Sequence, residues 1–434
     1  MYHNIKSKRI LANGVTASND TWVTGINNND LLVGPSGAGK TRGYVIPNIL
    51  HGQDSLIVTD TKGNLCRLYG KHLEKKGYTV MHLDFTDVAH TPWGYDPLAY
   101  VREYHDAEAN REGDYYSEQD VKKLAQAICP CQNSNDPFWD LAAQMYLEAV
   151  LLYILNELPE EEHSLYTAYT FLTKMGTDEL EQIIEEERAT HPRSAFTRKI
   201  DMIRQNKNAD KMDASIKGIL ARHLDVVAYP GVKRMFRMER QVDLSAFLRG
   251  KTALFLSVSD SDRSQDALFN LFYTQALQYL MAAADKRPDS RLSIPVRFIL
   301  DYFSTNTLIP DFDKIVSVIR SREIYVSLVI QSLSQLEGLY GHAKAQTIIN
   351  NCDNCLYLGG TDLETARYFS EKLDRRVSTV LDLPLDSLFL FTRGSTPRKA
   401  QKYDLDQDNA YRALVRARRQ ASDEARTDLG KESM

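Results

Sequence analysis

The residues best suited to chemistry in this sequence form one glycine-rich stretch, Gly34-Pro35-Ser36-Gly37-Ala38-Gly39-Lys40-Thr41. It matches G-x-x-x-x-G-K-[ST], the pattern of the phosphate-binding loop in P-loop NTPases. The glycines let backbone amides curve around phosphate oxygens, and the N-terminus of a following helix attracts the same negative charge. In this arrangement Lys40 reaches the β- and γ-phosphates and the Thr41 hydroxyl holds Mg²⁺. The pattern therefore predicts a site for a nucleoside triphosphate with Mg²⁺.

The residues on either side of this loop agree with that interpretation. Asp30-Leu31-Leu32-Val33 before it is typical of a short buried strand, and residues 42–50 after it can open a helix. A strand, a glycine-rich loop and a helix in this order are the setting that the motif requires. A chance glycine-rich turn is the alternative, and the full match in this setting disfavours it.

A P-loop enzyme also needs an acidic residue at the end of a neighbouring strand to hold the Mg²⁺ shell. Val296–Leu300 is an apolar run that ends in Asp301, so we predict Asp301 as this residue, although a strand-end Asp can also simply cap a turn. Hydrolytic relatives usually place Glu next, to activate water, but the next residue here is Tyr302. Its hydroxyl is a poor base near neutral pH because the pKa of tyrosine is about 10.

Other carboxylates near predicted strand ends are candidates for the missing base, and their spacing assigns none of them. They are Asp60, Asp260, Asp262 and Glu323.

Two further candidates flank the run Ile324–Ile330. Gln331 follows it, and a Gln at a strand tip can sense the γ-phosphate or orient water. Arg320 precedes it, and an arginine displaced from its own site can reach the phosphate of a neighbouring subunit. A surface helix end carrying arginines is an equally acceptable interpretation of Arg320 and Arg322.

Eight short apolar runs recur along the chain, many of them separated by helical patterns. Continuous runs are typical of strands buried on both faces, and their alternation with helices indicates a mainly parallel sheet. The runs are Leu31–Val33, Ser55–Val58, Tyr78–Leu83, Ala253–Val258, Val296–Leu300, Ile324–Ile330, Cys355–Leu358 and Leu388–Phe391. We therefore predict an α/β fold, in which nucleotide sites lie at the carboxyl ends of the strands.

Between residues 100 and 240 the strand pattern gives way to helical patterns, which predicts an inserted all-α domain. Its charge is polarised: residues 101–192 hold 6 Lys/Arg against 20 Asp/Glu, and residues 193–240 hold 12 against 5. Solvated helix faces explain this distribution. The alternative is an acidic surface for a basic protein partner and a basic surface for nucleic acid.

Length and composition limit the remaining possibilities. The chain has 434 residues, 43% hydrophobic and 26% charged, as in a globular protein of two or three domains. A net charge of -5 excludes nucleic-acid binding by the whole surface. No run reaches about 18 uninterrupted apolar residues, so we expect a soluble chain. Five cysteines suggest a reducing compartment; a zinc site at Cys129, Cys131, Cys352 and Cys355 is the less favoured alternative.

Several stretches together resemble one family in order and spacing, over about residues 25–405. They are Gly34–Thr41 with Arg42-Gly43-Tyr44-Val45-Ile46-Pro47-Asn48, Val58-Thr59-Asp60-Thr61-Lys62-Gly63, Tyr95-Asp96-Pro97-Leu98, Ile309-Pro310-Asp311-Phe312, Ile319-Arg320-Ser321-Arg322-Glu323, Gln331-Ser332-Leu333-Ser334-Gln335-Leu336, Asn351-Cys352-Asp353 and Leu358-Gly359-Gly360-Thr361-Asp362. The combination resembles the TraG/TraD family of conjugative coupling proteins, and most of all its Gram-positive branch.

The resemblance implies a RecA-like P-loop NTPase domain with an inserted all-α domain, assembled as a homo-hexamer. It implies ATP and Mg²⁺ as cofactors, and single-stranded DNA, relaxase or relaxosome proteins, and type IV secretion channel ATPases and inner-membrane components as partners. It places the protein at the cytoplasmic face of the plasma membrane. Lys40, Thr41 and Asp301 match the family's nucleotide and Mg²⁺ residues, and Arg320 matches its arginine finger.

The expected domains are an N-terminal segment (1–24), the RecA-like domain (25–100 and 241–405), the all-α insertion (101–240) and a charged tail (406–434). The chain departs from the family in starting after the usual transmembrane helices, in Tyr302, and in Asn64, where the family motif has a second acid. Losing a general base costs about 10²–10⁴ in rate while binding can survive. A nucleotide-binding docking subunit with little hydrolysis, and a DNA pump of the FtsK/HerA kind, therefore stay open as alternatives.

Overall fold

The structure is a computed structural model and describes residues 7–103, 115–131, 137–204, 209–301, 303 and 308–432. The chain divides into two compact units. The P-loop unit comprises Met1–Val80, Ser245–Phe255 and Ala283–Met434, and the helical unit comprises Met81–Leu244 and Leu256–Ala282.

Eleven strands occur in the described part of the chain. They are β1 (Lys8–Ala12), β2 (Val15–Ser18), β3 (Asp30–Val33), β4 (Ser55–Asp60), β5 (Thr79–Asp84), β6 (Thr252–Ser257), β7 (Val296–Asp301), β8 (Ile324–Ile330), β9 (Asn354–Tyr357), β10 (Ser387–Thr392) and β11 (Arg398–Gln401). All eight predicted runs are strands. The hairpin β1–β2 and the edge strand β11 were not predicted.

Nine strands form one sheet in the order β11-β10-β9-β3-β8-β7-β4-β6-β5. β3 lies parallel between β8 and β9, β7 lies parallel between β8 and β4, and β10 is antiparallel to both of its neighbours. Every residue of β3, β4, β7, β8 and β9 is buried, as expected for parallel strands covered by helices on both faces. The predicted α/β fold with a mainly parallel sheet is confirmed.

Helices of the P-loop unit follow its strands and cover the sheet. They are Thr21–Thr24, Ile46–His51, Leu65–Lys75, Ala246–Arg249, Phe312–Val318, Leu333–Tyr340, His342–Asn350, Leu363–Leu373, Val377–Leu381 and Asn409–Glu432, with short turns of 3-10 helix at Ile319–Arg322 and Leu405–Gln407. Ser332 and Asp362 cap the helices that follow them, each accepting a backbone N–H from the first turn.

The helical unit is built mainly from helices. They are Glu118–Ile128, Phe138–Glu157, Leu165–Lys174, Thr177–Thr190, Ala195–Arg204, Ala209–Leu224 and Pro230–Phe236, together with the part of Asp266–Asp285 up to Ala282. Ser117 and Ser164 accept the N–H groups of Asp120 and Thr167 and so fix two helix starts.

One described helix, Phe138–Glu157, has the length and apolar composition needed to cross a membrane. In its most apolar window 61% of the residues are buried inside the protein, as in the core helix of a soluble domain. Membrane-spanning helices and buried core helices can both have this length and composition, so this helix is weak evidence for a membrane segment.

Three of the five cysteines are core residues. Cys129, Cys352 and Cys355 are buried, and burial raises the pKa of the Cys129 and Cys355 thiols to about 12 each. Within the described ranges, no three of the five cysteines lie close enough together to share a metal ion.

Candidate nucleotide-binding site

The phosphate-binding loop directly follows β3, as predicted. Gly37 and Gly39 have φ of 78° and 85°, a left-handed conformation that residues with a Cβ adopt only under strain. The helix that follows begins with a wide, π-helical turn over Thr41–Val45, in which the Ile46 N–H donates to the Thr41 carbonyl. Wide turns of this kind are frequent at functional sites. The glycines and the wide turn therefore give the loop its shape.

The Lys40 side chain lies over its own loop. Its Nζ donates to the carbonyl oxygens of Gly34, at 2.5 Å, and Pro35, at 2.8 Å. Burial lowers the pKa of Lys40, and Lys402 lowers it further, while Asp301 opposes the shift. A phosphate oxygen is a stronger acceptor for an ammonium group than a carbonyl oxygen, so this amine can exchange its partners for a phosphate.

Thr41 and Asp301 meet although 260 residues separate them in sequence. The Thr41 hydroxyl donates to Oδ2 of Asp301 at 3.0 Å. Asp301 is the last residue of β7 and is 4% exposed. A hydroxyl and a carboxylate are the hard oxygen ligands that Mg²⁺ takes in proteins, so the donor set fits this ion.

Gln331 lies beside the loop as well. It follows β8, which pairs with β3, and its Oε1 accepts from Nε2 of Gln335 at 3.3 Å. Gln331 and Pro35 both line a cavity of about 190 Å³. The other lining residues are Ser332, Gln335, Tyr357, Gly359, Gly360, Thr361, Asp362 and Thr365. The structure thus brings Lys40, Thr41, Asp301 and Gln331 to one edge of the sheet.

Arg320 is not brought to this edge. It lies in the turn Ile319–Arg322 before β8, and its Nε donates to the Thr21 hydroxyl at 2.7 Å. Gln331 follows the other end of this seven-residue strand, so the strand alone separates the two residues by roughly 20 Å. Arg320 therefore lies far from the loop of its own chain.

The candidate bases in the P-loop unit are occupied by structural contacts. Both carboxylate oxygens of Asp60 accept backbone N–H groups, from Lys62 and Leu65, and hold the turn before helix Leu65–Lys75. Burial nevertheless raises the pKa of Asp60. Glu323 accepts hydrogen bonds from the Trp22 indole, at 2.8 Å, and from the Tyr325 hydroxyl, before β8.

The remaining candidates do not supply an obvious base either. Asp260 and Asp262 belong to the helical unit, where Asp262 accepts the Ser264 N–H at 2.9 Å. Tyr302 lies outside the described residues. Asp362 lines the cavity, but it caps the next helix, and despite its burial, hydrogen bonds from Thr365 and Ser334 lower its pKa. A lowered pKa makes Asp362 a weak base.

Comparison with known proteins identifies the family. The chain matches the family model described as "Type IV secretory system Conjugative DNA transfer" over residues 3–378. The chain belongs to this conjugative DNA transfer family. The resemblance stated from the sequence motifs is thereby confirmed.

Curated relatives of this family are distant in sequence. Protein VirD4 of Agrobacterium fabrum (strain C58 / ATCC 33970) is 24% identical over 350 residues, which cover 79% of this chain and 49% of VirD4. Protein VirD4 of Rhizobium rhizogenes gives the same identity and coverage. The chain spans about half the length of these relatives.

Solved structures of the conjugative coupling protein TrwB share the fold. Its unbound monoclinic form is 16% identical with a TM-score of 0.68, covering 92% of this chain and 89% of that one. TrwB in complex with the non-hydrolysable ATP analogue ADPNP is also 16% identical, with a TM-score of 0.67 and coverage of 94% and 92%. VirB4 of Thermoanaerobacter pseudethanolicus is 13% identical with a TM-score of 0.54, covering 92% and 98%. At these identities the likeness shows the fold alone, and it confirms the expected RecA-like class.

Beyond the family motifs, a C-terminal segment that sequence reasoning missed contacts the loop. In this strap, defined as residues 402–411, the Lys402 Nζ donates to the Ala38 carbonyl at 2.8 Å and to the Leu358 carbonyl at 3.2 Å. Nη2 of Arg42 contacts both carboxylate oxygens of Asp406 at 2.8 Å. No motif marks these residues, and only the folded chain brings them to the loop.

Proposed function

We propose that this chain is the coupling-protein ATPase of a conjugation system. It recruits a relaxase–DNA complex to a type IV secretion channel and drives single-stranded DNA transfer by ATP hydrolysis. The observation that carries the proposal is the 3.0 Å contact of Thr41 with Asp301 beside Lys40, in a chain of the conjugative DNA transfer family. It supports a working Mg²⁺–nucleotide site in that family setting.

The residues of the loop divide the work by their chemistry. Amides of residues 34–41 bind the phosphates, and Lys40 exchanges its two carbonyl partners for β- and γ-phosphate oxygens. Thr41 and Asp301 hold Mg²⁺, which when bound neutralises charge on those oxygens. Gln331 faces the terminal phosphate and orients water or senses its loss.

Arg320 acts on the neighbouring subunit in this proposal. Its position at the other end of β8 from Gln331 prevents it from serving its own site and fits a finger supplied in trans. This assignment requires an adjacent subunit, and we propose a homo-hexamer, as the family resemblance implies.

The proposed partners follow from the family resemblance. We propose that the all-α insertion, residues 101–240, faces the relaxosome, and that the motor works at the cytoplasmic face of the plasma membrane with channel ATPases and inner-membrane components. Part of the charge polarisation is satisfied inside the helical unit: Lys199 contacts Glu118 and Glu148 at 2.8 and 2.6 Å, and Arg204 contacts Glu181 at 2.5 Å. Any DNA-binding surface there must use other cations.

ATP turnover with and without single-stranded DNA tests the proposal. The wild type should hydrolyse ATP faster with DNA, and Lys40→Ala should abolish the stimulated rate. Lys399→Ala, an exposed lysine on the edge strand β11, is the matched control and should behave as wild type. DNA binding should weaken steeply as salt rises. Absence of ATP binding, or binding of DNA that ignores salt, contradicts the proposal.

A second candidate is a nucleotide-binding docking subunit with weak hydrolysis or none. Asp60 favours it, because both oxygens of this carboxylate are committed to the backbone. ATP binding without turnover, together with a rate that rises in Tyr302→Glu, would support this candidate. Brisk turnover in the wild type eliminates it. The family match disfavours an FtsK/HerA-like pump outside conjugation.

A further inference from the structure

The Tyr357 hydroxyl is a buried polar group without a partner. Tyr357 is 1% exposed, and its hydroxyl forms no hydrogen bond with any of the residues that the structure describes. Leaving such a group unpaired is unfavourable, so folded proteins usually satisfy it. The hydroxyl therefore calls for a ligand or a water molecule.

This hydroxyl faces the space beside the phosphate-binding loop. Tyr357 is the last residue of β9 and pairs with Val33, the residue directly before the loop. A Cβ built on Gly360 would lie 3.5 Å from Cδ of Pro35 and 3.7 Å from the Tyr357 hydroxyl. The bare glycine keeps open the space between the loop and the hydroxyl.

That space is the cavity of about 190 Å³ that Gln331 also lines. Its walls are polar, with two glutamines, Ser332, Thr361 and Asp362 beside the tyrosine. A cavity of this size has room for several water molecules. Its polarity and size suit water better than an apolar ligand.

The tyrosine ring is held firmly, so the direction of its hydroxyl is set. The ring centroid lies 4.5 Å from that of Phe369, which in turn lies 5.2 Å from that of Phe391. Burial raises the pKa of Tyr357 to about 12, so the hydroxyl keeps its proton and can donate it in a hydrogen bond. It is a positioned donor, not a base.

We propose that the Tyr357 hydroxyl and the Gln331 amide together hold the water that attacks the terminal phosphate. The proposal rests on the proposed ATPase function and names a further residue of that site. The water oxygen bonds to the γ-phosphorus as the bond from phosphorus to the β–γ bridging oxygen breaks, and ADP leaves with that bond's electron pair. One water proton stays on the attacking oxygen and the other passes to a second oxygen of the γ-phosphate, so the released product is dihydrogen phosphate. With both protons on the phosphate, the step does not require a carboxylate at position 302.

Tyr357→Phe tests this directly, because it removes the hydroxyl and keeps the packed ring. We expect kcat to fall roughly tenfold, the effect of one hydrogen bond made in the transition state, while the Kd for ADPNP and the melting temperature stay unchanged. Tyr368→Phe is the matched control: this tyrosine packs against Phe369 too, but it does not line the cavity. It should behave as wild type.

A double variant separates a shared water from two independent effects. If Tyr357 and Gln331 hold the same water, Tyr357→Phe should cost little in a protein that already carries Gln331→Ala. Additive losses, an unchanged kcat in Tyr357→Phe, or equal losses of kcat and nucleotide affinity each overturn the inference. A wild type that binds ATP without hydrolysing it also overturns it, whereas a wild type that binds no ATP overturns the proposed function itself.

Discussion

The two edges of the sheet in the P-loop unit use polar residues in opposite ways. At the amino edge, Arg9 and Asp30 are 1% and 0% exposed and form a two-point ion pair at 2.6 and 3.0 Å. Asp30 also accepts from the Tyr44 hydroxyl, and Arg297 lies 3.6 Å from it. Charges so deeply buried are tolerated only when paired, and the protein supplies hydrogen-bond partners for Arg9 and Asp30. Arg297 is held less completely, because its Nε and Nη2 form no hydrogen bond with the described residues.

At the carboxyl edge, several polar groups beside the loop have partners that a ligand can replace, or have none. Lys40 rests on loop carbonyls, Thr41 touches Asp301 through one hydrogen bond, and the Tyr357 hydroxyl has no partner within the described chain. The short strand β3 joins the two edges, from Asp30 to the loop at Gly34. The amino edge fixes the position of β3, whereas the carboxyl edge presents hydrogen-bond donors to which a ligand can bind.

The largest effect on stability should come from removing one partner of the buried ion pair at the amino edge. Asp30→Ala leaves Arg9 buried without its carboxylate, and we expect a loss of about 3–5 kcal/mol in the free energy of unfolding. Urea denaturation measures this, with Asp406→Ala, an exposed acid, as the control. The ATP affinity of the remaining folded protein should be nearly normal. A stable variant that has lost ATP binding would contradict the contrast between the edges.

At the carboxyl edge we expect the opposite: a large loss of turnover and little change in stability. Lys40→Ala removes a donor to the transferred phosphate, so we expect turnover to fall by roughly 10²–10³. Stability should change by less than about 1 kcal/mol, because the loss of two hydrogen bonds is offset by removal of a buried charge whose desolvation is unfavourable. Calorimetric unfolding of Lys40→Ala and Lys399→Ala should give similar curves. A large loss of stability in Lys40→Ala alone would show that the loop lysine is structural as well.

The carboxyl edge was predictable from the sequence and the amino edge was not. Glycines, Lys40 and the strand-end Asp301 are marked by residue type and spacing, because phosphate and Mg²⁺ impose fixed geometry on them. Arg9 and Asp30 carry no such mark: they pair across 21 residues only after the hairpin β1–β2 folds against the sheet. Tyr357 ends a predicted strand, but only the packed cavity shows that its hydroxyl is unpaired.

Asp408, in the strap, predicts how the stability of the folded protein depends on pH. Asp408 accepts hydrogen bonds from the Tyr403 hydroxyl, the Tyr411 N–H and His51; despite the opposing effect of burial, these lower its pKa below 3.8. Since the folded pKa lies below the unfolded one, this stabilisation is present above about pH 4 and is lost as pH falls through the folded value.

Asp408→Asn should therefore cost about 1 kcal/mol near neutral pH, and the difference from wild type should shrink as pH is lowered towards about 2. Unfolding curves of both proteins across this range measure the difference. A gap that stays constant would show that Asp408 contributes through shape and not through charge.

The smallest effect should come from the exposed pair that the strap makes with the loop helix. The side chains of Arg42 and Asp406 are 52% and 74% exposed, so water screens their attraction, and Asp406→Ala should cost less than about 0.5 kcal/mol. Turnover should also be unchanged, because the bond lies outside the cavity and the Thr41–Asp301 pair. If Asp406→Ala instead alters turnover severalfold at unchanged stability, the strap controls the loop through Arg42. The carboxyl edge would then include residues 402–411, and its functional part would extend beyond every motif that marks the family.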